Sequence, residues 1–337
     1  METAFKFQQM NLELTTVCPL RCPQCYCSLE GGKHLDIEIA KRRIDEACKL
    51  GLKILDLSGG ETMCYPDLYE LIRYASQRVK IVDVALSGAL FNQEEFEKLV
   101  NSGITGISIS LNGSTEQINA LSREGYGYAI KALELLRKNR FSNTTINWVM
   151  HSNNADDFMN LVKLAEKYHV ASIDIISLKP DSKNALKSFP TMEQIERLSR
   201  NIKQYSGPVK IVIEGCFSNL LAYHLNTRLF GNLNVGSNKG CMAGRDGISV
   251  NVDGNLTPCR HIEVTEKFDT IEDYWLHSSM LQRLRRVDEY KKEPCCSCKF
   301  EKYCRHCQAV TWQIHRDIYL GFEGCPVYQH KEKVEAK

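Results

Sequence analysis

Cys18-Pro-Leu-Arg-Cys22-Pro-Gln-Cys25-Tyr26 follows directly on a short alternating run, Asn11-Leu-Glu-Leu-Thr15. Fifteen cysteines in 337 residues would place three at the fixed spacing C-x3-C-x2-C only about twice in a thousand trials, so chance is a poor account. Three thiolates in one loop can hold three corners of a cubane iron–sulfur cluster. With no fourth cysteine at a regular spacing, one iron stays open to a ligand that is not protein. Structural zinc, with Cys27 as a fourth ligand, is the alternative.

Composition narrows the surroundings of this loop. A hydrophobic content of 43% is ample for a sizeable core, and the length suggests about two domains. Lys+Arg 43 against Asp+Glu 41 leaves a net charge of +2, which argues for neither a nucleic-acid groove nor a membrane surface. Met1 to Met10 lacks an apolar core of signal-peptide length, and no run approaches the ~18 apolar residues of a membrane span. These features predict a cytoplasmic protein, where so many cysteines serve metal binding or redox chemistry rather than a disulfide framework.

From Gln8 to about Pro180 short apolar runs alternate with amphipathic stretches. Asn11 to Thr15, Ile54 to Ser58, Ile81 to Leu86, Ile104 to Ser110, Thr145 to Met150 and Ile173 to Leu178 read as strands. Asp36 caps a first helix with Ile37, Ala40, Ile44 and Ala47 on one face, ended by Gly51. Six such units predict an α/β fold, a partial (β/α)6 parallel barrel of about 190 residues, with a doubly wound open sheet as the other option. In either, the functional loops follow the strand C-termini, where the cysteine loop, Gly59-Gly60-Glu61-Thr62 and Asn112-Gly113 all fall.

Beyond Pro180 a helix from Thr191 to Tyr205 and a strand from Val209 to Ile213 precede a loop-rich stretch from Gly215 to Gly240. The expected division is 1–214 and 215–337, the second part holding nine of the fifteen cysteines. The basic run Arg283 to Lys292 reads as a solvated helix face. Ile248 to Val252 and Leu256 to Pro258 flank Asp253-Gly254, a hairpin signal that would bring Cys259 back towards Cys241.

On these residues the chain resembles radical S-adenosylmethionine enzymes that carry a C-terminal SPASM domain. The cysteine loop after strand one and the Gly-Gly-Glu loop after strand two carry the N-terminal part of the likeness. The C-terminal part rests on Cys241-x12-Gly254-x4-Cys259, then Cys295-x2-Cys298-x5-Cys304-x2-Cys307, then Cys325. The family usually has three residues between the last cysteines of the second motif, and this chain has two.

The resemblance implies S-adenosylmethionine on the open iron of a 4Fe-4S cluster held by Cys18, Cys22 and Cys25. Tyr26, Gly59, Gly60, Glu61, Thr62, Ser110, Asn112 and Arg123 would contact it, with the Glu61 carboxylate complementing the methionine ammonium. It also implies two auxiliary 4Fe-4S clusters. One would use Cys295, Cys298, Cys304 and Cys325; the other would use Cys241, Cys259 and Cys307, with Cys216 as candidate fourth ligand. Cys48 reads as core, and Cys27 and Cys64 have no pattern.

The implied activity is reductive cleavage of S-adenosylmethionine to a 5′-deoxyadenosyl radical, which takes hydrogen from a ribosomally made precursor peptide. A radical enzyme acting on a small molecule and a non-enzymatic iron–sulfur or zinc protein are the rival readings. Strand one begins near the first residue, so the expected partners include a separate peptide-recognition protein. A reducing donor such as a flavodoxin or ferredoxin completes the set, with no nucleic acid and no membrane.

Overall fold

The computed structural model describes residues 5–27, 29, 31–179, 185–216, 234–235, 241–298, 301, 304–322 and 325. Its strands are β1 (Gln9–Glu13), β2 (Ile54–Ser58), β3 (Ile81–Leu86), β4 (Gly106–Ser110), β5 (Thr144–Met150), β6 (Ser172–Ser177), β7 (Lys210–Ile213), β8 (Asn234–Val235), β9 (Gly247–Val250) and β10 (Leu256–Thr257). Most of the loop-rich stretch expected from Gly215 to Gly240 lies outside the described residues. Among the described residues, no helix is long and apolar enough to cross a membrane.

Two compact units share the chain. One comprises Met1–Ser110, Ser122–Thr145 and Ala243–Arg285; the other comprises Leu111–Leu121, Ile146–Met242 and Arg286–Lys337. Compactness therefore cuts the chain differently from a division at residue 214.

In the first unit the strand order is β10-β9-β1-β2-β3-β4. All neighbours run parallel except the β9–β10 hairpin. The α/β class with a mostly parallel sheet is thus the observed one. Alternation along β3 is clean, with Val82, Val84 and Leu86 buried, because side chains on a strand point to opposite faces. The helix Ile37–Lys49 starts where expected: the Asp36 carboxylate accepts from Glu38 N at 2.9 Å and Ile39 N at 3.0 Å. Its buried face holds Ala40, Ile44 and Ala47, as the spacing predicts.

The hairpin after Cys241 forms, with Leu256 opposite Val250. Local sequence did not reveal that β9 would extend the sheet by pairing with β1, Gln9 opposite Gly247. Glycine is required there, since a Cβ on residue 247 would lie 2.3 Å from Gln9 O. Beyond the hairpin, Glu46 accepts from Arg43 Nη1 at 2.8 Å and from Ile271 N at 3.0 Å, and Arg43 also reaches Asp269 O at 2.7 Å. The 243–285 segment is in this way docked on the first helix.

In the second unit the order is β5-β6-β7-β8, with β7 parallel to both β6 and β8. Trp148 packs on Phe158 at 4.9 Å between ring centroids, and both are buried. The helix Met192–Gln204 opens with a capping box between Thr191 and Gln194.

The basic run Arg283 to Lys292 is corrected by the structure, for it is not a solvated face throughout. In the first unit Arg285 donates to Gly244 O at 2.7 Å and Trp275 O at 2.8 Å and stacks over the Trp275 ring. In the second, the Lys291 side chain is 2% exposed and donates to Glu301 O and Cys304 O. Long aliphatic stems let both bury while their charged ends find acceptors.

Candidate functional site

The first unit brings the cysteine loop against the loop after β2 through a set of backbone bonds. Leu14 N donates to Ser58 O at 2.8 Å, Gly60 N to Thr15 O at 2.7 Å and Glu61 N to Val17 O at 2.8 Å. This contact explains the two glycines. A Cβ at 59 would fall 2.5 Å from Thr15 O and one at 60 would fall 2.4 Å from Val17 O, and Gly59 has φ +142 besides. The far side of the cysteine loop is tied down by Arg21 N to Glu124 Oε2 at 2.8 Å and by Gln24 N to Ser122 O at 3.2 Å.

Glu61 is 1% exposed, which makes its environment decisive. Its Oε2 accepts from Ser87 N at 2.9 Å and from the Ser87 hydroxyl, while Oε1 accepts from Met63 N at 3.3 Å. Burial pushes the carboxyl up; the Ser87 donors, Met63 N and the Arg123 charge pull it back. A carboxylate so placed keeps acceptor capacity for an ammonium, having about four lone-pair sites. Thr62, by contrast, is buried and its hydroxyl donates to Ala85 O at 2.8 Å, at the end of β3.

Cys18 and Cys25 sit in different electrostatic surroundings. Burial raises Cys18, Leu20 N at 3.5 Å from its Sγ opposes that, and Glu61, Cys22 and Cys25 add to the rise. Cys25 is pulled down, first by a hydrogen bond from the Cys27 thiol and then by the Arg123 and Arg21 charges. Cys27 is pushed up in consequence, and its Sγ lies 3.2 Å from Gly59 O. The Arg123 charge thus contributes at both Cys25 and Glu61.

Tyr26, next to Cys25, meets residues from far along the chain. Arg260 Nη1 donates to Tyr26 Oη at 2.6 Å and to Ser58 Oγ at 3.3 Å. The guanidinium also lies 4.9 Å from the Tyr26 ring centroid, and the His261 ring packs against Tyr26 at 4.7 Å between centroids. Ser110 closes β4 in this unit, half-buried. Asn112 lies in the second unit, where its Oδ1 accepts from Val149 N at 3.1 Å and its carbonyl accepts from Trp148 Nε1 at 3.2 Å and Asn154 Nδ2 at 2.9 Å.

The second unit gathers two thiol groups. Hydrogen bonds to Cys241 and Cys307 raise Cys216, and Cys307 is pulled down by Cys216 and by the Lys179 ammonium. Lys179 itself is clamped by Glu214 at 2.9 and 2.8 Å. Elsewhere Cys295 is pushed up to about 11 by burial, with Cys304 and Cys298 adding to the rise. Cys296 turns away to Glu293 at 2.9 Å. Cys325 N donates to Phe322 O at 3.0 Å; Cys259 belongs to the first unit.

Cys18, Cys22 and Cys25 in one loop are a donor set of the kind that binds an iron–sulfur cluster. Among the described residues no three His, Cys, Asp or Glu side chains converge on the centre of a single ion. His306 is a buried polar group of the second unit. It is 8% exposed, with φ 45, and neither ring nitrogen has a hydrogen-bond partner among the described residues. Its imidazole, held low at about 4 by burial, leaves both ring nitrogens with unused hydrogen-bonding capacity.

Sequence reasoning had not singled out Ser87, Arg260, Lys179, Glu214 or His306. Ser87, Lys179 and Glu214 follow strand ends and could have been sought there. Arg260 and His306 adjoin cysteines of the C-terminal motifs, a weaker signal.

Comparison with known proteins agrees with the geometry. Residues 12–165 match the profile described as Radical SAM superfamily. The PqqA peptide cyclase of Rhodopseudomonas palustris is 27% identical over 326 residues, 89% of this chain and 82% of that protein. The AdoMet-dependent heme synthase of Methanosarcina barkeri is 25% identical over 340 residues, 95% of this chain and 96% of that one. Among solved structures, Streptococcus suis SuiB bound to S-adenosylmethionine superposes with a TM-score of 0.76 at 16% identity, covering 95% of this chain and 77% of SuiB.

Proposed function

We propose, on the premise that residues 12–165 form a radical SAM domain and that the chain is a radical SAM enzyme, that its substrate is a ribosomally made precursor peptide. The observation that carries the activity is the cysteine loop stitched to Gly59-Gly60-Glu61 through Thr15 and Val17. The peptide class is supported by the likeness to PqqA peptide cyclase over most of both chains.

When bound, the cluster and S-adenosylmethionine supply one-electron cleavage of a carbon–sulfur bond and a 5′-deoxyadenosyl radical that takes a substrate hydrogen atom. The chain's own residues do the rest. Cys18, Cys22 and Cys25 would hold the cluster; Glu61, buried and fixed by Ser87, would receive the methionine ammonium at the C-terminal end of β2. Arg123, whose charge reaches both Cys25 and Glu61, would balance the negative charge of thiolates and carboxylate. Ser110, at the end of β4, and Tyr26 would line the cofactor, and Thr62 would hold the loop through Ala85.

The same reading takes residues 1–214 as the radical domain and 215–337 as the auxiliary-cluster part, with two further 4Fe-4S clusters. Cys295, Cys298, Cys304 and Cys325 would carry one. Cys216, Cys241, Cys259 and Cys307 would carry the other, Cys216 being supported by its hydrogen bonds to Cys241 and Cys307. A separate peptide-presenting protein, a flavodoxin- or ferredoxin-like donor and a cytoplasmic location complete it.

Anaerobic reconstitution tests the reading. About twelve irons per chain are expected on four-iron arithmetic. Reductant and S-adenosylmethionine should yield 5′-deoxyadenosine, lost when Cys18, Cys22 and Cys25 become alanine. A precursor peptide should change in mass only in the complete mixture. The small-molecule reading, which the heme synthase likeness favours, would prevail if radical turnover couples to a tetrapyrrole and to no peptide.

A further inference from the structure

Arg260 lies outside the residues that match the radical SAM profile, yet it touches both loops of the cofactor site. The β9–β10 hairpin delivers it. With β9 paired to β1 at Gln9 and Gly247, the chain leaves β10 through Pro258 and Cys259 and reaches Tyr26 and Ser58 one residue later.

We propose that Arg260 is the positioning residue of the cofactor site, a clamp that locks the cysteine loop through Tyr26 to the end of β2 through Ser58. The proposal rests on reading Cys18, Cys22, Cys25 and Glu61 as that site. Both ends of the clamp are anchored. Tyr26 is peptide-bonded to Cys25, and Ser58, which precedes Gly59, donates its hydroxyl to Asn11 Oδ1 at 3.1 Å on β1. One guanidinium nitrogen serves both hydroxyls while the planar group lies 4.9 Å from the phenol ring centroid, an arrangement the compact ammonium of lysine cannot reproduce.

Arginine stays charged across the working pH range, and the Glu13 and Asp56 carboxyls lie within the electrostatic reach of Arg260. Glu13 and Asp56 belong to β1 and β2, the two central strands of this unit. The purpose of the clamp is preorganisation: the open iron and the Glu61 carboxylate must face one ligand from two different loops. Ligand affinity suffers when either loop is free to drift.

The test uses the full reconstituted chain and two measurements: the dissociation constant for S-adenosylmethionine, and the change in electron paramagnetic resonance line shape of the reduced N-terminal cluster when that ligand is added. Arg260→Ala and Arg260→Lys should retain iron and lose about tenfold or more in affinity, with an altered line shape. Tyr26→Phe should lose less, and should add little in the Arg260→Ala background because the two act as a unit. Should Arg260→Ala load iron poorly, Arg260→Lys and Tyr26→Phe carry the test. Wild-type affinity and line shape in these variants would overturn the clamp alone. A wild-type chain that binds iron at the N-terminal loop but no S-adenosylmethionine would overturn the cofactor reading and the clamp with it.

Discussion

Ser87 donates both its backbone N–H, at 2.9 Å, and its hydroxyl to one carboxylate oxygen of Glu61, so the end of β3 aims the acid carried by the end of β2. A buried carboxylate needs such donors, since leaving its charge unmet costs several kcal/mol. Ser87→Ala keeps the N–H and removes the hydroxyl. Its expected cost is about 1–2 kcal/mol in urea unfolding of the metal-free protein, with weaker S-adenosylmethionine binding in the loaded one. Unchanged values in both measurements would show that the N–H alone fixes Glu61.

Asp56 carries a pH-dependent term. Burial pushes its carboxyl from 3.8 up to about 6, with nearby Asp83 adding to the rise and Gln9 and Arg260 opposing it. A folded-state acid that binds its proton more tightly than the unfolded chain loses stability as pH climbs from about 4 through 6. Asp56→Asn should therefore raise stability near neutral pH by about 2 kcal/mol and leave it unchanged near pH 4. Denaturant titrations at the two pH values decide it.

Gly60 and Gly127 make opposite predictions for the same substitution. At Gly60 a methyl would lie 2.4 Å from Val17 O, whereas at Gly127, within the helix Tyr126–Lys138, nothing stands within 4 Å. Gly60→Ala should cost about 2–3 kcal/mol and reduce iron uptake by displacing the cysteine loop. Gly127→Ala should stabilise by about 0.5–1 kcal/mol through lower unfolded-state entropy. Thermal unfolding of the two variants side by side makes the comparison.

Lys179 and Glu214 form a pair in which the lysine side chain is only 9% exposed and the contact is 2.8 Å. Breaking such a pair from one side strands the other charge. Lys179→Met should cost about 3 kcal/mol, and Lys179→Met with Glu214→Gln should cost less than that single change. A double-mutant cycle by urea denaturation reads the coupling; additive losses would mean that the two charges are stabilised separately.

Much of the site was legible because its signals are short. The C-x3-C-x2-C loop, Gly-Gly-Glu and the alternation of β2 and β3 each depend on a few neighbouring residues. Asn112 shows the limit. Beside glycine it reads as a turn residue, and nothing local signals that its carboxamide oxygen accepts from Val149 N, 37 residues away. Lys291 shows the same limit, since its burial against Glu301 O and Cys304 O depends on a fold that charge patterning cannot sense.

Residue order by itself determined the strand–helix alternation, the Asp36 cap, the Asp253-Gly254 hairpin and the cysteine loops, because periodicity, capping and turn chemistry act over a handful of positions. Tertiary structure alone decided that β9 pairs with β1, that Ser87 holds Glu61 and that Arg260 reaches Tyr26 and Ser58. Each of these joins segments distant along the chain, and a hydrogen bond is chosen by which groups the packed core brings within about 3 Å, not by their spacing in sequence.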